Sequence, residues 1–457
     1  MRKRIVFALF LISTAAVSQE HFAGLNTSSR VGILTAGMNP AELANMSNTF
    51  EINAIGFSFN IANNKIGFSD LTSDANIADL IFVGSEPVNM RIDAEMYGPG
   101  LAMKYKNWAF GFVTKANGKL DVVDVDTQLG DAINNPGNSI LSLSAINADY
   151  NQRIIGTTWG ELDFFVAKTL LNTLNHKING GVTLKLLFPG SYANMGADVF
   201  NGVVVQTPGQ ASLTNTQASL NFSYSGSLAN SFSNFDDYTK SIFGGLNGFA
   251  GDIGINYQWK DQQALDTALT KNKTDKNKYK LNAGLSVRNI GAMTFKDDNN
   301  NSTNYTLSIQ GAESLNLNLF ENVDSLKDVE NILINSGYLT KESSNRDFKV
   351  SLPTTLTLYA DVKIIPTLFV SGYLQQKLKD DNENDQITVQ NIFTVTPRIN
   401  LGFFETYVPI SNSEISGFNT GLGVRLGGFY LGSGSAITAL INDSKQADIY
   451  TGFRWAF

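Results

Sequence analysis

Residues Ala447 to Phe457 (ADIYTGFRWAF) alternate with a period of two. Ile449, Thr451, Phe453, Trp455 and Phe457 fall on one face of an extended strand. Asp448, Tyr450, Gly452, Arg454 and Ala456 fall on the other. Successive side chains of a strand point to opposite faces, so one face is apolar and aromatic and the other mixes charge with small residues. The same period recurs upstream, in Phe50–Asn60, twice in Val88–Lys106, and in Trp108–Thr114, Asn175–Phe188, Phe249–Trp259 and Tyr279–Val287. It returns in Ala218–Tyr224, Leu352–Lys363, Thr367–Gln375, Ile387–Thr396, Arg398–Tyr407 and Phe418–Ser433. Such a chain is built of half-buried strands, about 14 of them if broken stretches are joined. Taken alone, the last strand suits either the edge of a soluble sandwich or the wall of a barrel.

Composition narrows the choice. Past the N-terminus no apolar run approaches the ~18 residues of a spanning helix. Forty glycines, 30 Phe and 15 Tyr suit a large antiparallel β protein, because aromatics favour strands and glycine eases bends. A net charge of −7 excludes the basic footprint of a nucleic-acid binder. With no cysteine there is no disulfide, thiol nucleophile or zinc–thiolate site. No cofactor or metal is expected.

The N-terminus reads as a secretory signal. Arg2, Lys3 and Arg4 form a basic region, Ile5–Ile12 a short apolar one, and Ala16-Val17-Ser18 supplies small residues. Cleavage is expected between Ser18 and Gln19. The missing cysteine excludes a lipoprotein.

Polar inserts read as loops: Lys271–Lys280, Asp297–Asn304 and Lys377–Gln386 carry charge and no apolar period. Asp381, Glu383 and Asp385 fail as a calcium loop, since the required glycine and the closing Glu are absent. Asp121, Asp124 and Asp126 read as a solvated turn. Phe320–Leu339 suits a short helix with Leu326, Val329, Ile332 and Leu333 on one face, and Ala75–Val83 another. Catalysis has little support: only His21 and His176 exist, and no nucleophile-elbow, Walker or HExxH pattern is present.

The closing strand, ending on Phe457, resembles that of bacterial outer-membrane barrels, whose assembly machinery reads the terminal pattern. Phe453, Trp455 and Phe457 would carry that signal. Gly37-Met38-Asn39-Pro40-Ala41-Glu42-Leu43 precedes the first strand; Asn39-Pro40 starts a turn and Pro40 suits a first helical position. With its flanking glycine, Asn39-Pro40-Ala41 resembles the N-terminal hatch of FadL-like long-chain fatty-acid transporters. Tyr97-Gly98-Pro99-Gly100-Leu101, Gly284-Leu285-Ser286-Val287-Arg288-Asn289-Ile290-Gly291 and Leu352-Pro353-Thr354-Thr355 are similar to an uncharacterised outer-membrane family of the Bacteroidota. That family resembles FadL-like barrels and the PorV-type proteins of type IX secretion.

The resemblance implies an all-β transmembrane barrel of about 14 strands. Residues 1–18 would be the signal, 19–48 a hatch or plug, and 49–457 the barrel in the outer membrane. Passive uptake of a hydrophobic or amphipathic small molecule is the function it implies, with Gly98, Pro99 and Gly100 as a wall kink. Expected partners are outer-membrane lipid, the assembly machinery and such a ligand. The other reading is a non-transporting platform for a secretion or surface-assembly partner.

Overall fold

The computed structural model describes residues 21–28, 32–71, 73–74, 77–135, 141–231, 243–262, 279–296, 301–321 and 323–456. In chain order its strands are β1 (Phe50–Asn63), β2 (Val88–Tyr105), β3 (Trp108–Val125), β4 (Ser142–Ala148), β5 (Gln152–Asn172), β6 (His176–Thr207) and β7 (Gln210–Ser225). There follow β8 (Gly248–Lys260), β9 (Tyr279–Phe295), β10 (Asn301–Ile309), β11 (Leu315–Asn316), β12 (Leu339–Asn345), β13 (Phe348–Ser351), β14 (Thr355–Ile365) and β15 (Leu368–Lys377). The last are β16 (Ile392–Asn400), β17 (Phe404–Tyr407), β18 (Ile410–Ser413), β19 (Gly417–Thr420), β20 (Leu422–Leu426), β21 (Phe429–Ser433) and β22 (Gln446–Ala456).

Antiparallel pairing runs β1–β2–β3–β5–β6–β8–β9–β14–β15–β16. It continues through two strands each broken once, β17 with β18 and β20 with β19, then through β21 and β22 back to β1. The result is a closed barrel of 14 strands. Closure matters because an open edge would leave backbone groups unsatisfied in hydrocarbon. The stretch expected as one strand over Phe418–Ser433 is a hairpin turning at 427–428.

Alternation sorts the wall. Trp108, Phe110 and Phe112 of β3, Phe164 of β5, Val182 and Leu184 of β6, and Ile253 and Ile255 of β8 are exposed on the outer face. Between them Lys115, Lys119, Asp163, Lys185 and Asp252 are buried on the inner face. An apolar outside around a charged inside is the arrangement of a barrel in lipid. At the end carrying the termini most turns are short, at 106–107, 173–175, 366–367, 401–403 and 427–428. Apart from the connection 261–278, which starts and ends here too, the long connections lie at the other end, which in such barrels faces the cell exterior.

Two features depart from a plain barrel. First, β6 is 32 residues long. Its first half is wall; its second half, from Tyr192, pairs with β7 and β4 beyond the ring. β7 pairs on with β10, and β10 with β12, so a second sheet β4–β6–β7–β10–β12 stands on the outer end. The stripe Ala218, Leu220, Phe222 and Tyr224 belongs to this sheet and is buried there. Helices Thr127–Asn134 and Leu326–Asn335 cover that face. Asp126 caps the first by accepting from the Gln128 and Leu129 amides, and Ser325 caps the second. The Asp121–Asp126 stretch is therefore no solvated turn: Asp121 is buried at 2.5 Å from Arg91. The helix expected within Phe320–Leu339 is present, with Leu326 and Leu333 buried.

Second, the segment 378–391 starts in solvent, with Leu378, Lys379, Asp380, Asn382, Glu383 and Asp385 exposed, and then turns inward. Gln386 to Gln390 are all buried, so the polar run Lys377–Gln386 leads into an inward-folded loop, and the strand expected from Ile387 begins only at Ile392. The polar run itself is largely solvated, as its composition suggests; what composition does not show is the inward turn after it, where Thr388 and Gln390 bond the wall. The Lys271–Lys278 part of another expected loop lies outside the described residues, as does 297–300; Asn301–Asn304 opens β10.

Candidate functional site

The chain's own N-terminal segment packs against the inner face of the ring. Gly32–Met38 forms a helix and Pro40–Asn45 a 3₁₀ turn. Phe22, Leu25, Ile33, Leu34, Leu43 and Met46 pack into a buried cluster with the inward rings of Tyr97, Phe165, Tyr407, Tyr430 and Tyr450. Asn39 caps the 3₁₀ turn, its side chain accepting from the Ala41 amide at 3.0 Å, and Pro40 follows where no backbone donor is needed. The Asn39 amide also donates to the wall carbonyls of Ile255 (3.0 Å) and Leu285 (3.3 Å).

Three glycines receive this turn. A Cβ on Gly181 of β6 would strike the Pro40–Ala41 peptide, and one on Gly254 of β8 would strike Asn39. One on Gly284 of β9 would lie 2.7 Å from the Asn39 amide nitrogen. Gly181 and Gly254 face each other across the β6–β8 ladder, so the notch is built by register. Beside it, Lys177 donates to the Ala44 carbonyl at 3.0 Å. Asn39, Pro40 and Ala41 are thus brought together with the wall.

Gly98, Pro99 and Gly100 lie in β2 next to this segment. The ladder to β3 shifts register between Tyr97 and Gly100, a bulge centred on the proline. Asn53 of β1 donates to the Gly98 carbonyl at 2.8 Å, and Thr114 of β3 to the Pro99 carbonyl at 3.2 Å. Side chains therefore bridge where backbone pairing lapses. In β22, Phe453 and Trp455 are exposed on the outer face, while Arg454 turns inward to Glu51 at 2.6 Å. Phe457, Ser18 and Gln19 lie outside the described residues.

The histidines separate clearly. His176 stands at the exposed start of β6, its Nδ1 at 2.8 Å from the Tyr257 hydroxyl. His21 lies between the Ser58 hydroxyl (2.9 Å from Nδ1) and the Asp93 carboxylate (3.2 Å from Nε2). Serine, imidazole and carboxylate in a row have the order of a hydrolytic relay, but Ser58 is buried in the wall, so the contact ties the N-terminal segment to β1 and β2. Further inside, Lys115 pairs with Asp163 (3.3 Å) and Lys185 with Asp252 (3.2 Å).

An apolar space lies at the outer end. A cavity of about 770 Å³ is bounded by β5, the second half of β6, β7 and β10, and by the two covering helices. Leu129, Met195, Leu220, Leu307, Val329 and Leu333 stand on its wall, with Arg153 and Gln152 at one border. A drug-sized ligand needs a cleft of roughly 300–1,000 Å³ lined mainly by apolar side chains. No local pattern in the chain announces this cavity, since its walls come from segments far apart in sequence.

A family of unknown function, DUF5723, matches residues 40–434. The chain belongs to this family. No curated protein matches it. Among solved structures it is similar to the TodX deltaS2S3 mutant monoaromatic hydrocarbon channel, with 10% identity over 97% of each chain and a TM-score of 0.46. The toluene transporter TodX of P. putida gives 9% identity over 93% of this chain and 94% of that one, with a TM-score of 0.45. A Pseudomonas aeruginosa FadL homologue gives 9% identity over 96% and 98%, with a TM-score of 0.40.

Proposed function

We propose that this member of DUF5723 is an outer-membrane uptake protein for hydrophobic small molecules. The outer-end cavity carries the reading: about 770 Å³ walled by leucines, Met195 and Val329 is a receptor for an apolar solute, not a water channel. Passage is passive. The N-terminal segment acts as a plug, and its small displacement at the glycine notch, or a parting of the wall at the Gly98–Gly100 bulge, opens the way. The charged interior disfavours an apolar solute along the full axis, which favours the wall route.

The test is binding and uptake of N-phenyl-1-naphthylamine, an apolar fluorescent probe. In nanodiscs the protein should enhance its fluorescence saturably, and Leu220→Lys, which puts an unpaired charge on the cavity wall, should weaken binding at least tenfold. Deleting Gly32–Leu43 should change probe uptake into proteoliposomes. Saturable binding without any protein-dependent uptake would favour the PorV-like platform reading; no saturable binding would remove the receptor reading.

A further inference from the structure

Residues 378–391 cross the barrel mouth. At one side Thr388 accepts from Arg91 of β2 at 2.7 Å. At the other, Gln375 of β15 donates to the Gln390 carbonyl at 3.2 Å, and the Ile387 amide bonds the Ser351 carbonyl of β13 at 3.0 Å. Ile387 packs into an apolar cluster with Ile155, Trp159, Tyr192 and Phe348, and Val389 borders a small central chamber of about 100 Å³ that also meets Lys115, Glu95 and Arg288. The loop therefore separates that chamber from the outside.

Among the side chains that bond the crossing, Arg153 reaches the most main-chain carbonyls. The Arg153 guanidinium donates to the main-chain carbonyls of Asp381 (2.7 Å), Asn384 (3.0 Å) and Gln386 (3.0 Å). The Asn194 side-chain oxygen accepts from Nη2 at 3.1 Å and from Nε at 3.2 Å. The Tyr192 hydroxyl adds a bond to the Asn384 carbonyl at 2.8 Å. Among the described residues no carboxylate forms an ion pair with Arg153. Its acceptors are neutral, so the clasp rests on several charge-assisted hydrogen bonds from one guanidinium and on no close ion pair.

The same residue borders the apolar cavity. Its neighbour Gln152 accepts from the Asp126 amide at 2.8 Å, at the cap of helix Thr127–Asn134. Leu129 and Ile133 of that helix line the cavity. Anything that fills the cavity presses on the Arg153 stem and on the helix resting beside it. A guanidinium aligned on three carbonyls loses them together when it swings, because hydrogen bonds weaken steeply with angle.

We propose that residues 378–391 form an outer lid over the lumen, latched by Arg153, and that occupation of the apolar cavity releases it. The ligand half of this rests on the cavity being a receptor; the latch half does not. The lid is the two-state element, and the cavity ligand shifts it because only the latched state needs Arg153 in its present place.

The chain has no cysteine, so Val389→Cys supplies a unique thiol that is buried while the lid is shut. Its modification by a membrane-impermeant maleimide is timed in nanodiscs. The rate should be slow without ligand and rise at least tenfold with saturating N-phenyl-1-naphthylamine. Arg153→Gln should give the fast rate without probe. Leu220→Trp, which fills the cavity covalently, should do the same and leaves the latch residue intact. If fluorescence shows the probe bound while the thiol stays slow, or if a folded Arg153→Gln barrel labels slowly, the proposal falls. If the probe does not bind, the receptor reading fails separately, and Leu220→Trp decides: slow labelling there overturns the coupling.

Discussion

The Glu42 carboxylate of the inner segment accepts a hydrogen bond from the Tyr359 hydroxyl of β14 at 2.5 Å. Asn256 and Asn282 donate to the same oxygen at 2.8 Å, and Asn45 to the other at 2.7 Å. Among the described residues no lysine or arginine forms an ion pair with it. The charge is stabilised by converging neutral donors, which ties β8, β9 and β14 to one side chain. Glu42→Gln would point an amide donor at donors. A buried donor left unpaired costs about 1–3 kcal/mol, so the segment should detach more often by roughly one to two orders of magnitude. Hydrogen exchange of the Leu34–Leu43 amides should accelerate accordingly, with the barrel strands unchanged. Tyr359→Phe removes one donor to that carboxylate and should cost about 1.5–3 kcal/mol.

The glycine notch predicts a separate defect. Gly181→Val would place a branched side chain where the Pro40–Ala41 peptide now lies. Overpacking of this kind costs about 1–3 kcal/mol, and here the wall is held by its ladders while the inner turn is the part able to move. The variant should assemble as a barrel and show a raised conductance in planar bilayers. A folded Gly181→Val barrel with unaltered conductance would mean that the turn does not obstruct the lumen.

Acidity should act on the lid. Burial, opposed by Lys377 at 2.9 Å and by Arg91 and reinforced by Glu414, leaves the Asp381 carboxyl above its ordinary value of 3.8. An acid whose pKa is raised when the loop is in binds its proton more readily there than when the loop is out. The closed state therefore gains stability as pH falls from neutral towards 3.8, and loses that gain as pH rises. A spin label at Glu383→Cys should be less mobile at pH 5 than at pH 8. Greater mobility at pH 5 would reverse the sign.

Much of the fold was legible because its cause is local. Period-two alternation in segments such as Phe249–Trp259 and Ala447–Phe457 follows from one side facing lipid, and it yielded both the strand number and the inward place of Arg454. Asn39-Pro40 was legible as the start of a helical turn for the same reason. What escaped depends on distant partners. The Ala218–Tyr224 stripe has a wall strand's period, yet it packs under two helices, since a period cannot tell lipid from protein. Residues 378–385 have a solvated loop's composition and are largely exposed, but 386–390 are buried by partners distant in sequence, such as Arg153, more than two hundred positions upstream, and Arg91. The apolar cavity likewise exists only where β5, β7, β10 and two loop helices meet.

The roof of that cavity offers the last prediction. Tyr224 of β7 and Tyr305 of β10 both donate to Glu330, at 3.0 and 2.7 Å, and so hold helix Leu326–Asn335 over the sheet. The same helix places Val329 and Leu333 on the cavity wall. Burial pushes the Tyr224 hydroxyl up to about 12 and raises Tyr305 as well, with Glu330 adding to both. A tyrosine whose pKa is raised by folding contributes stability that is fully present below its ordinary value of 10.0 and is lost as pH rises from there towards 12. Glu330→Ala leaves two hydroxyls without their acceptor and should weaken the helix by about 1–3 kcal/mol. The apolar probe should then bind more weakly, and protease should cut between residues 320 and 340 while the barrel resists. In the unaltered protein the same cuts should appear above pH 10. Unchanged probe affinity in Glu330→Ala would show that the helix is not needed to enclose the ligand.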